Sequence, residues 1–492
     1  MTESSSQHAM FNVLRSTAVD KGGPRVGRLD LPKRKPIDTP NYIGLTSRGA
    51  IPHMTPDVIA KHTELNGSYM ALEDFIEKSQ KRVDPAIYNI EPEGKEILHA
   101  YTATPAPVAT VLGARRHPAV VAPMGNGKDY VSVYTSTGFQ SLKNKEYCRA
   151  IERLQPDIAI PLADLTFGNS HIRDKLPNPK RQRRMVERTE DWLAELIKLR
   201  NAEDNEAAKP PIFAPLLPVS YPTQWEYLNH LSQEYAKYLS GLAVYDAGIL
   251  PDLVGHSSLT PLPRISMDFI TSPHEILRQI RLGLDIFTVL FINTASDAGI
   301  ALSFSFPPPA PVNSGPLPLG IDMWSQDHQK SLDPLVDGCG CYTCTKHHRA
   351  YLQHLLNARE MLGWTLLQIH NHHILTDFFK GIRAALAAEP STFEHDVELF
   401  SATYESELPK GTGARPRARG YHFKSEGGET KINPPAWEKY GNGGTDDPAL
   451  AGEMAGLVVT GVAAEGGETP VVPDANTDAK ELDKKGFAEV DQ

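Results

Sequence analysis

Short apolar runs alternate with amphipathic segments along residues 117–300 of the chain. The apolar runs that predict strands are Ala119–Pro123, Asp157–Pro161, Pro211–Leu216, Gly241–Tyr245, Pro263–Met267 and Thr288–Ile292. Between them, apolar residues with a period of about 3.6 predict helices over Met185–Arg200, Thr223–Leu239 and Pro273–Leu284. Strands that alternate with helices indicate parallel βαβ units. We therefore expect an α/β fold with a TIM (β/α)8 barrel that carries insertions.

The chain also has predicted elements outside this alternation. Further short strands are predicted at Phe11–Leu14, Val26–Asp30, Tyr42–Thr46 and Tyr130–Tyr134. Residues 307–316 are too rich in proline for a helix or a central strand, so they indicate a loop insertion. Residues 347–388 have a helical pattern, in which Gly363 marks either a break or a close packing contact.

The composition changes after Glu389, where the sequence becomes rich in Gly, Pro, Glu and Asp. The net charge of the chain is −10, and residues 389–492 contain 20 acidic and 10 basic side chains. We expect residues 1–388 to form the barrel and residues 389–492 to be a mostly disordered acidic tail. Because the acidic excess belongs to the tail, it does not exclude nucleic-acid binding by the barrel.

Cysteine usage and hydropathy predict the compartment. The chain has four cysteines, too few and too clustered for a disulfide framework, which indicates a reducing environment. No apolar run reaches about 18 residues, and the N-terminus lacks the pattern of a secretory signal. The sequence therefore predicts a cytoplasmic protein, and it leaves peripheral association with the mitochondrial outer membrane open.

Three of the cysteines form the most specific motif of the chain, Cys339-Gly-Cys341-Tyr-Thr-Cys344. This C-x-C-x-x-C run places three soft thiolates on one loop, close enough to bind a single tetrahedral ion. A fourth ligand is needed, and His370 follows within a predicted helix. Three thiolates and one imidazole would close the coordination sphere, so the sequence predicts a structural zinc ion.

The residues alone leave the fourth ligand open. Other histidines near the motif are His347, His348, His354, His372 and His373. A second alternative is that the three cysteines are buried or redox-active thiols without a metal. Cys148 stands apart from the motif and is predicted to be a small core residue.

The cysteine run, His348–Leu355, Glu360 and the pair His370-Asn371 together resemble the zinc subdomain of the tRNA-guanine transglycosylases. The resemblance covers most of residues 10–388. It implies an irregular TIM barrel with an inserted structural zinc-binding subdomain at about residues 307–388. It also implies that His370 is the fourth zinc ligand.

The reaction of that family needs two carboxylates. One attacks an anomeric carbon to give a covalent ribosyl–enzyme intermediate, and the other moves protons on the exchanged bases. The resemblance places the acid–base position on Thr135, within Thr135–Gln140, and the nucleophile position on Thr288, within Gly283–Val289. A threonine cannot replace either carboxylate near neutral pH. The resemblance therefore predicts that the catalytic positions are degenerate.

Other family positions also differ. The base-reading aspartate falls on Ala163, although a slip of one residue would place Asp164 there. Tyr245 stands where the family has a glycine that lets the base approach, and a Gln-Gly-Gly signature is absent near residues 215–218. If the alignment is displaced, Asp285 is the best candidate for a surviving carboxylate, although the family has an aspartate there as well.

These losses resemble the non-catalytic paralogue of the heterodimeric eukaryotic members of the family. The resemblance implies a catalytic queuine tRNA-ribosyltransferase subunit as partner, with the zinc module forming much of the interface. It implies the tRNA anticodon arm as ligand, with guanine exchanged for queuine at wobble position 34 of the GUN anticodons for Asp, Asn, His and Tyr. Two alternatives stay open: an active transglycosylase with rearranged carboxylates, and a scaffold that binds queuine or RNA.

Two basic segments of the sequence are candidates for contact with RNA. Residues 180–184, Lys-Arg-Gln-Arg-Arg, precede the predicted helix at Met185–Arg200. They suit tRNA phosphates and suit equally a solvated helix start. Residues 415–419 carry three arginines in the predicted tail, where an ordinary disordered stretch is the simpler interpretation.

Overall fold

The computed structural model describes residues 10–16, 22–76, 84–91, 96–120, 122, 125–165, 177–202, 209–309 and 315–416. The strands are β1 Phe11–Ser16, β2 Arg25–Leu29, β3 Ile37–Thr39, β4 Asn41–Leu45, β5 Gly67–Ala71, β6 Ala109–Gly113, β7 Tyr130–Thr135, β8 Gly138–Lys143, β9 Ile158–Ala159, β10 Phe213–Leu216, β11 Gly241–Val244, β12 Arg264–Ser266, β13 Ile286–Thr288, β14 Ile300–Leu302 and β15 Gly320–Asp322. The helices are α1 Pro56–His62, α2 Ile97–Thr102, α3 Asn144–Leu154, α4 Pro179–Ala202, α5 Tyr221–His230, α6 Pro273–Arg281, α7 Phe291–Asp297, α8 Tyr342–Lys346, α9 Arg349–Asn357, α10 Met361–Ala387 and α11 Phe393–Thr403.

Eight parallel strands form a barrel in the order β4, β5, β6, β9, β10, β11, β12 and β13. Strand β13 returns to β4, with Phe287 beside Tyr42. The seam between β9 and β10 closes through a parallel bridge from Ala159 to Ile212. The backbone N–H of Ala159 also donates to the carbonyl of Pro211, with an N···O distance of 2.8 Å. The predicted TIM barrel is therefore confirmed, and closure leaves its sheet without a free edge.

Alternating side chains of each strand build two cores. Ala243 of β11 points into the barrel, where Phe213 and Ile265 also lie. Its neighbours Leu242 and Val244 belong to the larger core between the barrel and its helices. This alternation follows from the two-residue repeat of a pleated strand. The antiparallel sheet β1-β2-β3 adds apolar side chains to the interior cluster and so covers one end of the barrel.

A third apolar cluster belongs to the module that follows the barrel. It includes Ala301 of β14, Met323, Leu352 of α9 and Trp364 of α10, together with two of the cysteines. Helix α10 contacts α7, α8, α9 and β14 as well as the barrel strand β4. Most of its 27 residues are buried. One helix therefore connects this module to the barrel.

The predicted strands agree with the structure in part. Four of the predicted runs, Asp157–Pro161, Pro211–Leu216, Gly241–Tyr245 and Pro263–Met267, contain β9, β10, β11 and β12. Ala119–Pro123 forms no strand among its described residues, and the strand predicted to start at Thr288 is displaced, because β13 ends at Thr288 and α7 begins at Phe291. The prediction from residue 117 onward missed β5 and β6, which lie earlier in the chain. Strand β7 exists, but it pairs with β8 as an antiparallel hairpin outside the barrel.

The long helix predicted over residues 347–388 is divided. It consists of α9 and α10, separated by a turn in which Arg359 adopts a φ of 57°. Gly363 lies inside α10 and makes a close packing contact: a Cβ there would lie 3.3 Å from side-chain atoms of Leu355 and Leu356. The sequence identified this glycine as a special position, and the contact explains it.

Ordered structure continues beyond residue 388. Helix α11 packs its Phe393 and Phe400 into the main core, and the described chain runs to residue 416. Most of the predicted tail, residues 417–492, lies outside the described residues, as do residues 310–314 of the proline-rich insertion. Among the described helices, none is both long and apolar enough to cross a membrane.

The contact of Gly381 with Phe306 predicts a strong effect on stability. A Cβ at position 381 would lie 1.7 Å from the carbonyl oxygen of Phe306. We expect Gly381→Ala to lower the free energy of unfolding by about 2 kcal/mol or more, because α10 would have to move away from the segment that follows β14. The matched control is Gly363→Ala in the same helix, where the contacts are milder and alanine regains about 1 kcal/mol of helix propensity. Urea denaturation measures both variants, and equal stabilities would contradict the prediction.

Candidate metal centre and barrel mouth

Four side chains, Cys339, Cys341, Cys344 and His370, form a cluster whose ligand atoms all lie within 4.8 Å of one another. The Nδ1 atom of His370 lies 3.7, 3.5 and 3.4 Å from the three sulfur atoms. For bonds of about 2.3 Å to sulfur and about 2.0 Å to nitrogen, the S···N edge of a tetrahedron is about 3.5 Å. The distances therefore fit one tetrahedral metal ion.

Local backbone structure positions these ligands. Gly338 has a φ of 75°, which lets the chain turn sharply before Cys339. Cys341 caps α8, and its sulfur accepts the N–H of Cys344 at 3.3 Å. The Nε2 atom of His370 donates to the carbonyl of Leu302 at 2.8 Å. This hydrogen bond fixes the tautomer that leaves a lone pair on Nδ1, facing the thiols.

The chemistry of this donor set suits a structural ion. Three thiolates and one imidazole provide the soft ligands that zinc accepts, and four protein ligands leave no coordination position for water. Hydrogen bonding to Cys339 and Cys344 raises the pKa of the Cys341 thiol well above its ordinary value. Three thiolates are thus unfavourable in the protein alone, and a cation at their centre would offset that repulsion.

The other histidines that the sequence left as alternatives do not belong to the four-residue cluster. They are His347, His348, His354, His372 and His373. His372 forms a hydrogen bond with the hydroxyl of Tyr42 at 3.0 Å, on the barrel side of α10. His373 lies beside the cluster, where a hydrogen bond to Cys339 raises its pKa.

A second candidate site is a cavity of about 640 Å³ at the C-terminal ends of the barrel strands. Its walls are largely apolar and include Ile160 and Met267. Tyr69, Arg115 and Tyr221 contribute polar groups. This end of a TIM barrel is where active sites of the fold are found. We call this region the barrel mouth.

Thr135 ends β7 and is fully buried. Its hydroxyl donates to the carbonyl of Gly138 at 3.0 Å and accepts from the side-chain amide of Gln140 at 2.9 Å. The side chain therefore belongs to the hydrogen-bond network of its own hairpin. It contains no carboxylate that could hold a proton for an exchanged base.

Thr288 ends β13 and is also fully buried. Its hydroxyl donates to the carbonyl of Ser266 in the neighbouring strand β12, at 2.8 Å. Neither Thr288 nor Thr135 is among the described residues that line the cavity. Both hydroxyl groups thus stabilise the backbone around the mouth.

Asp285 lies at the opposite end of the barrel, because it immediately precedes β13. Its carboxylate accepts two hydrogen bonds from the guanidinium of Arg25, at 2.8 and 2.6 Å. It also accepts the backbone N–H of Arg264 at 2.8 Å. Asp285 is fully buried in this arrangement and faces away from the cavity end. The structure therefore argues against a catalytic role for Asp285.

Asp164 follows β9 near the mouth but is used in ion pairs. Its carboxylate lies 2.9 Å from Arg181 and 3.1 Å from Arg188, both on α4. The side-chain amide of Asn126 donates to it at 2.7 Å. Ala163, not Asp164, lines the cavity. Ala163, where the resemblance expects a base-reading aspartate, therefore presents only a methyl group to the mouth.

Tyr245 lies in the cavity wall, at the position where the resemblance expected interference with a bound base. Burial raises its pKa to about 12, so the phenol stays neutral. The sequence did not identify Arg115, His117 and Tyr221 as mouth residues. Arg115 and His117 follow β6, a strand that the apolar pattern did not predict, so nothing indicated their position. Burial lowers the pKa of His117 to about 4 and keeps its imidazole neutral.

Comparison with known proteins adds independent evidence. The model of the family described as queuine tRNA-ribosyltransferase matches residues 20–406, which include all eight barrel strands and the four clustered ligands. The chain is 35% identical over 430 residues to a Schizosaccharomyces pombe protein named queuine tRNA-ribosyltransferase accessory subunit 2, covering 86% of this chain and 91% of that protein. It is 26% identical over 418 residues to the Drosophila virilis protein of the same name, covering 80% and 93%. The Culex quinquefasciatus protein of that name is 28% identical over 394 residues, covering 75% and 87%.

The cluster geometry predicts that metal content depends on its cysteines. We expect Cys341→Ser to lose the bound metal and to unfold at lower temperature, because the remaining ligands no longer close the coordination sphere. The matched control is Cys148→Ser, since Cys148 is also buried but lies outside the cluster. Elemental analysis and thermal unfolding measure both effects. Loss of metal from the Cys148 variant, or full metal content in the Cys341 variant, would contradict the assignment.

The ion pair of Asp285 predicts a structural effect. We expect Asp285→Ala to lower the free energy of unfolding by about 3–5 kcal/mol, because Arg25 would keep a buried charge without a partner. The double variant Arg25→Met/Asp285→Leu should recover only part of that loss, since it removes the unpaired Arg25 charge but leaves the buried Arg264 without the nearby carboxylate. Urea denaturation gives both values. A stable Asp285→Ala protein would show that the pair does not hold this end of the barrel.

Proposed function

This chain belongs to the queuine tRNA-ribosyltransferase family, and we propose that it is the non-catalytic subunit of a heterodimeric queuine tRNA-ribosyltransferase. In this role it supports the exchange of guanine for queuine at wobble position 34 of tRNAs with GUN anticodons. The observation that carries the proposal is the state of Thr135 and Thr288. Both residues are threonines, so neither supplies a carboxylate. Both hydroxyl groups are buried and donate to backbone carbonyls.

The chemistry of the exchange explains why these two positions determine whether the chain can be catalytic. Attack on the anomeric carbon requires a nucleophile that can form and later release a ribosyl bond. A threonine hydroxyl must lose a proton to do so, and the described partner of Thr288 is a carbonyl, which cannot accept one as a base. Asp285 and Asp164, the two aspartates that the sequence offered as surviving carboxylates, are both held by arginines, and Asp285 lies at the other end of the barrel. In our proposal the chemistry therefore takes place on the partner subunit.

We propose zinc as the ion and partner binding as the role of the metal module. Zinc would hold together Cys339, Cys341, Cys344 and His370 and supply rigidity rather than catalysis. The module carries four exposed apolar side chains. These are Leu332, Tyr342, Met361 and Leu362, with exposed fractions of 75, 38, 55 and 44%. We call these four residues the module patch and propose that the catalytic subunit covers it.

One observation favours a second candidate, an active transglycosylase with rearranged carboxylates. Asp268 follows β12 and lines the cavity, so a carboxylate is present at the mouth. Its oxygens accept the N–H of Phe269 at 2.8 Å and the amide of Gln279 at 3.2 Å. These contacts suit an anchor for the loop after β12. A third hypothesis is a scaffold that binds queuine or RNA without a partner, and the cavity at the barrel mouth is the observation that favours it.

The compartment also remains a proposal. We expect the heterodimer to act in the cytoplasm, where tRNA is available to it. Peripheral association with the mitochondrial outer membrane is a further expectation, which fractionation of cells that contain the tagged chain would test.

Guanine exchange on a tRNA with a GUC anticodon tests the proposed role. We expect no incorporation of labelled guanine by this chain alone, and incorporation with a one-to-one complex when the catalytic subunit is added. Exchange by this chain alone would contradict the proposal. In that case Asp268→Asn would show whether the second candidate is correct, because an amide cannot act as nucleophile.

The module patch predicts which variants weaken the complex with the catalytic subunit. Tyr342→Ala combined with Met361→Ala should weaken the complex about tenfold or more, because truncating exposed anchors of an interface often costs 1–2 kcal/mol each. Trp225→Ala is the matched control, since Trp225 is 51% exposed on α5, outside the patch. Gel filtration and sedimentation measure both. Equal weakening by both variants would argue against the patch as the interface.

A further inference from the structure

The first ten residues of α4 carry an unusual concentration of positive charge. They contain Lys180, Arg181, Arg183, Arg184 and Arg188, and the first turn has no acidic side chain. The helix is capped by a neutral residue, because Asn178 accepts the N–H of Arg181 through its side-chain oxygen at 2.9 Å. Nothing acidic therefore offsets this charge within the first two turns.

Two of these cations have a structural role. Arg181 and Arg188 hold Asp164 from two positions of α4. Asp164 stands between Ala163 and Leu165, which both line the cavity. These ion pairs therefore fix the beginning of α4 at the edge of the barrel mouth.

The other three cations have no such role. Lys180, Arg183 and Arg184 are exposed, and the structure gives none of them an ion pair among the residues it describes. We call these three residues the rim cation cluster. Positions i, i+3 and i+4 lie on one face of a helix, so the three charges point outward together. Four residues of helix span about 6 Å, so they form a compact patch.

This arrangement opposes the stability of the helix. Like charges at i, i+3 and i+4 repel each other. Cations at the N-terminus also oppose the helix dipole, whose positive end lies there. Glu187 lies three residues after Arg184 and four after Arg183, so it offsets part of this repulsion, and together with the exposed Asp191 it limits the patch to the end near the mouth. The cluster is thus unfavourable for folding but well placed to attract an anion.

We propose that the rim cation cluster binds the phosphate backbone of the tRNA anticodon arm at the edge of the barrel mouth. The inference rests on the proposed function and adds to it a surface of this subunit that contacts RNA. A polyanion supplies the several phosphates that three adjacent cations match, and the helix dipole adds to the attraction. The ion pairs of Asp164 then make the patch rigid relative to the mouth.

Binding of RNA to the purified complex of this chain and the catalytic subunit tests the proposal. The probe is an unmodified tRNA transcript with a GUC anticodon, and affinity is measured by fluorescence anisotropy over a series of salt concentrations. The triple variant Lys180→Ala/Arg183→Ala/Arg184→Ala should lose about 10- to 100-fold in affinity at 0.1 M salt. The slope of log K against log salt should fall by about 2, for three lost contacts with a single strand.

A control variant with the same change in charge is Arg153→Ala/Lys198→Ala/Lys237→Ala. These exposed cations lie near the C-terminal ends of α3 and α4 and in the segment after α5, away from the mouth. We expect this control to bind tRNA with nearly wild-type affinity. The rim variant should also unfold at the same or a higher temperature than wild type, because it removes repulsion from α4. Loss of binding would then not result from unfolding.

The outcomes separate this inference from the proposed function. An unchanged slope in the rim variant, or equal losses in both triple variants, would overturn the rim assignment while the heterodimer stands. Failure of the wild-type chains to form a complex or to exchange guanine would overturn the proposed function and this inference with it. Binding of the rim cluster to phosphatidylserine vesicles, with no change in tRNA affinity, would identify a membrane surface and contradict RNA binding.

Discussion

The hydrogen bonds between α10 and β14 hold the candidate metal centre together, and the module depends on them because α10 also contacts the barrel strand β4. The imidazole of His370 turns one nitrogen toward the three thiols and donates to the carbonyl of Leu302 with the other. The next residue, Asn371, accepts the N–H of Leu302 at 2.8 Å and donates to the carbonyl of Ile300 at 2.9 Å. Buried polar groups that are fully paired in this way hold a unique arrangement. A metal ion at the cluster would therefore order the module and fix its position on the barrel together.

The barrel mouth has a cavity whose surrounding backbone is held by buried hydroxyl groups. Thr135 and Thr288 each use a hydroxyl to bind a backbone carbonyl, so their loss of charge does not leave an unpaired group. A buried hydrogen-bonded hydroxyl costs much less than a buried carboxylate that has no substrate to act on. The cavity remains at about 640 Å³, with Ala163 and Tyr245 in its wall. The cavity is thus preserved although neither Thr135 nor Thr288 brings a carboxylate to it.

Charge divides the two ends of the barrel by role. At the N-terminal end, Asp285 and Arg25 are buried and paired, which stabilises the fold only while both are present. At the mouth, Asp164 pairs with arginines of α4, and the neighbouring cations of that helix are exposed. A pair of buried charges holds structure, whereas unpaired exposed charges attract a partner. The paired arginines thus have a structural role, and in our proposal the exposed cations of the same helix bind the RNA.

The sequence by itself determined the βα alternation, the strands β9 to β12, the three-cysteine motif and the family resemblance, because each depends on residues close together in the chain. Only the tertiary structure brought His370 to the thiols and excluded its neighbours, since that choice depends on how α10 lies against β14. It also decided the role of Asp285, whose partner Arg25 is 260 residues away. Strands β5 and β6 were missed because their burial comes from distant segments. Contacts of this range have no local pattern, and only the folded chain defines them.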